Sequence, residues 1–424
     1  MAEPVDELQS TSPDSTETHT DAISAGSRIL RRLAAALTFP AFRNLWLAAF
    51  TSAVGTWMQR FTQQWLILTL TGSAFFLGLD AFLGDLPLLL FTLIGGVIAD
   101  RHDRRQLLIA SQTLQMLCAL TLTGLVLFDV VHIHYILALS FLTGVAQAFG
   151  GPAFQSMIPS LVPWSTLPNA IALNSVQFNL AQMVGPLIGG GVLVALGMTA
   201  CFGINSLSFL AVIVVLSLMR LPTPATKIRQ QLVVELRSGL SFVRHQPALL
   251  ALTGLAMATT TLGVPVRAFL PVFADDAAHL SLMMAALGGG AVAGALTVAW
   301  LGKFQHMGQT LLVVQVVFGG LVATFALLPI TSASYLILFF AGATLLVVFA
   351  LTNSLVQLAV PNELRGRVLS IYMMAFRGGM PLGSLVSGYF ITLSSPQVVI
   401  AINGLLLSTV ACHFLIRGHG VREL

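Results

Sequence analysis

Long apolar runs, separated by short polar connections, are the feature that most restricts the fold of this chain. A helix needs about 20 mostly apolar residues to cross the hydrocarbon core of a bilayer. Only 8% of the 424 residues are charged, whereas about a quarter are charged in a typical soluble domain. We therefore predict an all-α polytopic membrane protein with twelve transmembrane helices. The twelve runs lie near 44–70, 75–98, 106–128, 133–157, 168–196, 200–219, 248–270, 280–301, 310–329, 333–355, 369–392 and 397–416.

The positions of the basic residues predict how these helices are oriented, because Lys and Arg accumulate in cytoplasmic loops. With the N-terminus inside, the predicted cytoplasmic segments hold 17 of the 20 basic residues and the predicted outer loops hold none. The other three, Arg60, Arg267 and Arg377, lie within predicted spans. Both termini are therefore expected in the cytoplasm. This topology also accounts for the net charge of +4, and no basic patch interleaved with aromatic residues indicates a nucleic-acid partner.

The longest polar connection, 220–247, divides the runs into a first bundle of six helices at 44–219 and a second at 248–416. Leucines recur in this connection at helical spacing, which predicts an amphipathic helix on the inner membrane surface; a disordered linker is the alternative. Residues 1–43 are expected to form a disordered cytoplasmic tail with a basic flank, and 417–424 a short cytoplasmic tail. Weak similarity between the halves indicates a duplicated unit.

No motif in the sequence indicates a cofactor or a metal. Cys118, Cys201 and Cys412 lie inside apolar runs without the spacing of a disulfide framework or a zinc site. The Walker loop, the GxSxG elbow and the HExxH helix are all absent from the sequence. We therefore expect neither ATP-driven pumping nor enzymatic activity.

A charged segment between the second and third runs carries the most specific motif. It reads Gly96-x-x-x-Asp100-Arg101-x-Asp103-Arg104-Arg105. The segment resembles the signature loop between helices 2 and 3 of the major facilitator superfamily of secondary transporters, although the general pattern has glycine where Asp103 stands. With aspartate at this position, the loop resembles that of the branch that contains macrolide-efflux proteins and the enterobactin exporter. The resemblance implies two pseudo-symmetric six-helix bundles and a gating loop formed by Gly96, Asp100, Arg101, Arg104 and Arg105; alternatively, the arginines only hold the loop in the cytoplasm.

The fifth run contains a second motif of the same superfamily. Its segment Gly185-Pro186-Leu187-Ile188-Gly189-Gly190 resembles the core of the superfamily's antiporter motif. Upstream, the full pattern asks for glycine at two positions that alanine occupies here. Small residues let helix backbones approach closely in lipid, and proline permits bending. A packing seam unrelated to the direction of transport is the alternative interpretation.

Five charged residues lie within predicted spans and are the candidates for binding protons or substrate: Arg60, Asp80, Asp85, Arg267 and Arg377. Charges are costly in lipid, so they are expected to face the bundle interior, a water-filled path or one another. Arg60 and Asp85 lie about 24 Å and 20 Å along their helices from the cytoplasmic end, which predicts a functional pair. Asp80 is the competing partner, and a purely structural ion pair is the alternative. Gln64 is a further candidate for the cavity.

The sequence thus predicts a secondary transporter of the inner membrane that binds a small-molecule substrate and works as a monomer. The resemblance implies export of a small amphipathic molecule, such as a drug, siderophore or metabolite, by alternating access in exchange for protons. The fourth run, 133–157, lacks the arginine that many proton-coupled drug antiporters carry there, so the proton route stays open. The alternatives are a transporter-like receptor or sensor, an importer of the same superfamily and, last, a membrane enzyme.

Overall fold

The computed structural model describes residues 35–219, 232–302, 304–328, 332–361, 364–417 and 420–423. Within these ranges the chain is almost entirely helical and contains no β-strand. The first four long helices are α1 Pro40–Thr71, α2 Ala74–Arg101, α3 Arg104–Leu127 and α4 Ile133–Leu161.

One continuous helical run, Leu167–Leu218, contains a reversal of the chain at Gly197. This residue has φ 82° and ψ 177°, a backbone conformation that glycine adopts without steric cost. The Sγ atom of Cys201 lies 3.7 Å from the carbonyl oxygen of Gly189. On a straight helix, residues twelve positions apart would be about 18 Å apart. The run is therefore two helices, α5 (167–196) and α6 (198–218), joined by a single residue.

The second half begins with α7 Leu232–His245, which is followed by α8 Pro247–Ala258. The helix α8 continues through a π-helical turn at Thr259–Gly263 and two short helices, Val266–Phe269 and Leu270–Phe273. The remaining helices are α9 Ala277–Leu301, α10 Met307–Leu327, α11 Ser332–Ala359, α12 Arg365–Leu393 and α13 Pro396–Arg417.

The helical segments agree with the predicted runs. If α5 and α6 are counted separately, and 247–273 as one segment, the described residues form twelve long segments besides α7. Nine of the described helices, with Leu167–Leu218 counted once, are long and apolar enough to cross a membrane. The helices α1 and α12 are as long but more polar, and they carry Arg60 and Arg377. The number of helices that cross the bilayer stays a prediction.

Small residues bring helix backbones into contact within the second half. A Cβ atom added at Gly290 of α9 would overlap the carbonyl oxygen of Phe339 in α11, and one at Gly342 of α11 would overlap that of Leu287 in α9. Such close approach is the usual basis of helix association in lipid.

The two halves meet along α2 with α12 and along α5 with α9. A Cβ atom at Gly78 of α2 would overlap the carbonyl oxygen of Ser384 in α12. Ser281 of α9 donates a hydrogen bond of 2.9 Å to the carbonyl oxygen of Pro186 in α5. These contacts lie far from the end of the bundle that holds Arg104 and Arg105. We call the end that holds Arg104 and Arg105 the basic end, and the other end the opposite end.

The helix α7 packs on the second half. A Cβ atom at Gly239 would lie 2.9 Å from the carbonyl oxygen of Arg367 in α12, and Val243 is buried against the same half. The helix agrees with the one predicted within 220–247, of which residues 220–231 lie outside the described residues. Its position on the membrane surface stays a prediction.

Candidate functional site

A polar cavity that is partly open to solvent lies between the two halves, and the space between atoms there is about 1250 Å³, open solvent included. Helices of both halves line it, and polar groups converge on it in a chain that is otherwise strongly apolar, as expected of a small-molecule site. All seven amide side chains that line it come from the first half: Gln59, Gln63, Gln64, Gln115, Gln147, Gln182 and Asn205.

Four of the five predicted intramembrane charges line this cavity, and so does Gln64. The four are Arg60, Asp80, Asp85 and Arg267. Arg377 is not among the lining residues, although Met380, three positions along α12, is. The Oε1 atom of Gln64 is buried and has no hydrogen-bond partner among the described residues. The sequence therefore identified the charges of the cavity but not their partners.

Asp80 is held by two neighbours within the first half. Its Oδ1 atom accepts hydrogen bonds from Gln63 Nε2 at 2.9 Å and from Ser140 Oγ at 2.5 Å. Gln63 Nε2 also donates to Ser140 Oγ at 2.8 Å, so α1, α2 and α4 are joined here. Ser140 is not among the residues predicted from the sequence, where its only signal is a hydroxyl group in an apolar run.

Trp57 lies beside two guanidinium groups, one from each half. Its ring centroid is 5.1 Å from Cζ of Arg60 and 4.5 Å from Cζ of Arg267, distances typical of cation–π contact. Arg267 Nη1 donates a hydrogen bond of 2.8 Å to Gln182 Oε1 in α5. Arg267 belongs to the second half, yet both of these contacts reach the first. Trp57 could have been suspected from its position one helical turn before Arg60.

The predicted pairing of Arg60 with Asp85 is not an ion pair in the described part of the chain. Arg60 and Asp85 each act electrostatically on both Asp80 and Arg267, and Asp85 also acts on Arg377 of the second half. The predicted pair rested on how far each residue lies along its helix and not on the direction in which its side chain points. Residues five positions apart on a helix point about 140° apart, so the side chains of Asp80 and Asp85 leave α2 in different directions although both line the cavity. No described residue donates a hydrogen bond to Asp85, which faces the cavity.

A π-helical turn at Thr259–Gly263 precedes the segment that carries Arg267. Such turns are rare and occur frequently at functional sites. The sequence prediction treated 248–270 as one regular helix. The signal that could have indicated the interruption is Thr259-Thr260-Thr261 followed by Gly263 and Pro265.

The antiporter-like motif packs three helices beside Trp57. A Cβ atom at Gly185 would lie 2.5 Å from Cβ of Trp57, and one at Gly189 would lie 2.9 Å from Cδ1 of Phe61, both in α1. Gly190 faces Ser281 of α9, the residue that bonds to the Pro186 carbonyl. The motif is therefore a packing seam between α1, α5 and α9. Whether it sets the direction of transport stays a prediction.

The charged loop at the basic end binds helix ends of its own half. Asp103 caps α3 by accepting a hydrogen bond from the backbone N–H of Arg105 at 2.9 Å. Arg105 donates to the carbonyl oxygens of Leu216 and Ser217 at the end of α6, each at 2.6 Å. Arg104 Nη1 donates to the carbonyl oxygen of Ser156 in α4 at 2.9 Å. Cations stabilise helix C-termini in this way.

The remaining members of the predicted gating loop contribute less. Gly96 lies in α2 with no atom within 4 Å of a Cβ added there. The side chains of Asp100 and Arg101 lie outside the described residues, so the predicted gate stays a prediction.

Comparisons with known proteins agree with this architecture. A family model described as "Transmembrane secretion effector" matches residues 33–418. The multidrug efflux pump Tap of Mycolicibacterium fortuitum is 28% identical over 385 residues, covering 85% of this chain and 94% of Tap. The enterobactin exporter EntS of Salmonella choleraesuis is 27% identical over 390 residues, covering 87% of this chain and 89% of EntS.

Two solved structures share the fold at low sequence identity. The nucleoside transporter NupG aligns with a TM-score of 0.64 at 13% identity and covers 89% of this chain and 98% of its own. A bacterial homologue of the human lysosomal transporter Spinster, solved in an inward-facing conformation, aligns with a TM-score of 0.66 at 12% identity. It covers 91% of this chain and 96% of its own.

Proposed function

The chain belongs to the transmembrane secretion effector family of the major facilitator superfamily, and on this premise we propose that it exports a small amphipathic molecule in exchange for protons. Membership confirms the resemblance inferred from the loop and from the fifth helix, and it makes the chain a multi-pass membrane transporter, not an enzyme. Export, proton coupling, placement in an inner membrane with both termini cytoplasmic, action as a monomer and the division into bundles at 44–219 and 248–416 are parts of the proposal.

The observation that supports alternating access is the cavity between the halves. Charged groups from both halves reach it, and α5–α9 and α2–α12 contacts join the halves toward the opposite end. Rocking of one half against the other would break these contacts and expose the same cavity at the opposite end. The relatives named above as a multidrug efflux pump and an enterobactin exporter support the outward direction.

We assign the coupling proton to Asp85. Asp80 already accepts hydrogen bonds from Gln63 and Ser140, which occupy its Oδ1 atom. Asp85 lines the cavity without such donors in the described part of the chain, so both a proton and a substrate can reach it. Its electrostatic partners, Arg267 and Arg377, belong to the other half. A change in its protonation would therefore alter the attraction between the halves, which is what coupling requires.

The test is efflux from proteoliposomes that contain the full chain, with a panel of radiolabelled drugs, siderophores and metabolites, with and without an imposed pH gradient. The unaltered chain should export at least one compound faster with the gradient. Asp85→Asn should remove the dependence on the gradient while counterflow of the same compound persists. Asp129→Asn is the matched control, because Asp129 is exposed and has φ 55°, which asparagine also tolerates.

Two outcomes would contradict the proposal. Full pH-driven efflux by Asp85→Asn would remove Asp85 from the proton route and direct attention to Asp80. Accumulation against the expected direction in oriented vesicles would make the protein an importer.

A further inference from the structure

We propose that the cavity selects a substrate of zero net charge that carries both hydrogen-bond donors and acceptors. The inference deepens the proposed function and rests on it for the claim that a bound molecule is transported. Three observations support it: the number of charges that line the cavity, the hydrogen-bonding groups that they leave unused, and the apolar residues beside them.

The charged groups that line the cavity are balanced. Arg60 and Arg267 contribute two positive charges, and Asp80 and Asp85 contribute two negative charges; Arg377, on which Asp85 acts from α2, does not line the cavity. None of them forms an ion pair within 4.0 Å in the described part of the chain. A ligand of net charge −1 or +1 would leave an uncompensated charge in a space enclosed by apolar helices, which is costly. A ligand without net charge leaves the balance intact.

These groups have both unused hydrogen-bond donors and unused hydrogen-bond acceptors. Arg60 donates no hydrogen bond to any described residue, and Arg267 donates one, to Gln182, although a guanidinium has five N–H donors. Asp85 accepts none from the described residues and offers two oxygens. A ligand must therefore supply acceptors for the guanidinium groups and donors for the carboxylate. A neutral polar molecule and a zwitterion both meet this condition.

Part of the remaining wall is apolar and fits an apolar part of the ligand. Phe61 and Phe209 line the cavity from the first half, and Met284, Leu287 and Met380 line it from the second. Methionine adapts its shape to irregular apolar partners. The ligand is thus amphipathic, with its polar groups toward the arginines and Asp85.

Donation from the ligand to Asp85 also agrees with proton exchange. A donor group binds the ionised carboxylate and competes with a proton for it, so that either one weakens the binding of the other. An anion bound at Arg267 would instead favour protonation of Asp85, because it adds negative charge nearby. A neutral donor therefore fits antiport, and an anion fits cotransport.

The test measures binding of four tritiated probes that share one aromatic body: N-acetylphenylalaninamide (neutral), phenylalanine (zwitterion), phenylalaninamide (cation) and N-acetylphenylalanine (anion). The full chain is held in nanodiscs of neutral lipid. The two probes without net charge should bind at least about tenfold more tightly than the charged ones, since a tenfold ratio needs only a small part of the cost of a buried charge. Tighter binding of either charged probe, equal affinities, or no binding of both uncharged probes would overturn the proposal.

Changes to the charge balance should invert the preference. Arg267→Gln gives the lining a net charge of −1 and should favour the cation, whereas Asp85→Asn gives it +1 and should favour the anion. Arg267→Lys keeps the charge and should keep the preference for uncharged probes. Arg417→Gln is the matched control, because Arg417 is exposed at the end of α13. An inverted preference cannot result from misfolding, which only lowers binding, and an uninverted one in correctly inserted variants refutes the charge argument.

The binding assay tests the selectivity and the transport assay tests export, so either proposal can be refuted without the other. Selective binding of uncharged probes by a chain that transports nothing would uphold the selectivity and refute export. Proton-driven export of a permanent cation would uphold export and refute the selectivity.

Discussion

Gly190→Ala tests whether the contact between α5 and α9 controls access to the cavity. The added Cβ atom would lie 2.5 Å from Oγ and 2.6 Å from Cβ of Ser281, well inside the 3.4 Å at which ordinary contacts begin. Ser281 would have to move, and its hydrogen bond to the Pro186 carbonyl would break. The conformation described above should become less populated. Gly191 supplies a matched control in the next position, because a Cβ atom there meets no atom within 4 Å.

The size of the effect follows from three contributions. Overpacking a close contact costs about 1–3 kcal/mol. Loss of the hydrogen bond costs about 0.5–1.5 kcal/mol. Alanine in a helix interior is better than glycine by about 0.5–1 kcal/mol, which offsets part of the cost and should make Gly191→Ala neutral or slightly stabilising. A net shift on the order of 1–3 kcal/mol changes the ratio of two conformations by about 5- to 150-fold.

The assay is a distance measurement between spin labels at the opposite end, on His134→Cys in α4 and Ala333→Cys in α11. Both sites are exposed, and the three native cysteines are replaced. Gly190→Ala should increase the population with the longer distance, and Ser281→Gly in the same chain should restore the original one by relieving the overlap. A distance distribution and an efflux rate identical to those of Gly191→Ala would refute the reasoning.

Three further predictions address orientation, gating and energetics. Cysteines introduced at His102 and at His134 should react with an impermeant maleimide from opposite sides of the membrane, and labelling of His102→Cys in intact cells would refute the predicted topology. Asp100→Asn should reduce transport by a normally inserted protein; unchanged transport, together with unchanged accessibility of cavity cysteines, would leave the loop as a topology signal only. If one proton exchanges for an uncharged molecule, each cycle moves one positive charge, so an inside-negative diffusion potential of about 100 mV should change the attainable gradient by about 50-fold; an electroneutral cycle would contradict this.

Local regularities of the sequence predicted the helices and the motif contacts. Apolar runs located the helical segments because length and hydropathy are properties of one segment at a time. The small residues of the fifth run indicated close packing for the same reason, and Gly185, Gly189 and Gly190 confirm it.

Properties that depend on several helices at once were not predictable. The partners of Asp80 come from α1 and α4, 17 and 60 positions away in sequence. The contacts of Arg267 depend on the π-helical turn before it and on how the two halves are set against each other. Depth along a helix therefore identified candidates for the cavity, but only the direction of each side chain decided which hydrogen-bond partners it has.

The single-residue connection at Gly197 restricts how the first half can move. Two helices joined by one residue keep a fixed separation at that end, so a tilt of α5 must carry the adjoining end of α6 with it. The helix α5 holds the contact with Ser281, and α6 holds Asn205, whose amide donates a hydrogen bond of 2.6 Å to Gln59 in the cavity wall. The contact at the opposite end and the hydrogen bond of Asn205 in the cavity wall thus belong to one helical hairpin. Displacement of that hairpin reaches both places at once, so no relay of side-chain rearrangements is needed between them.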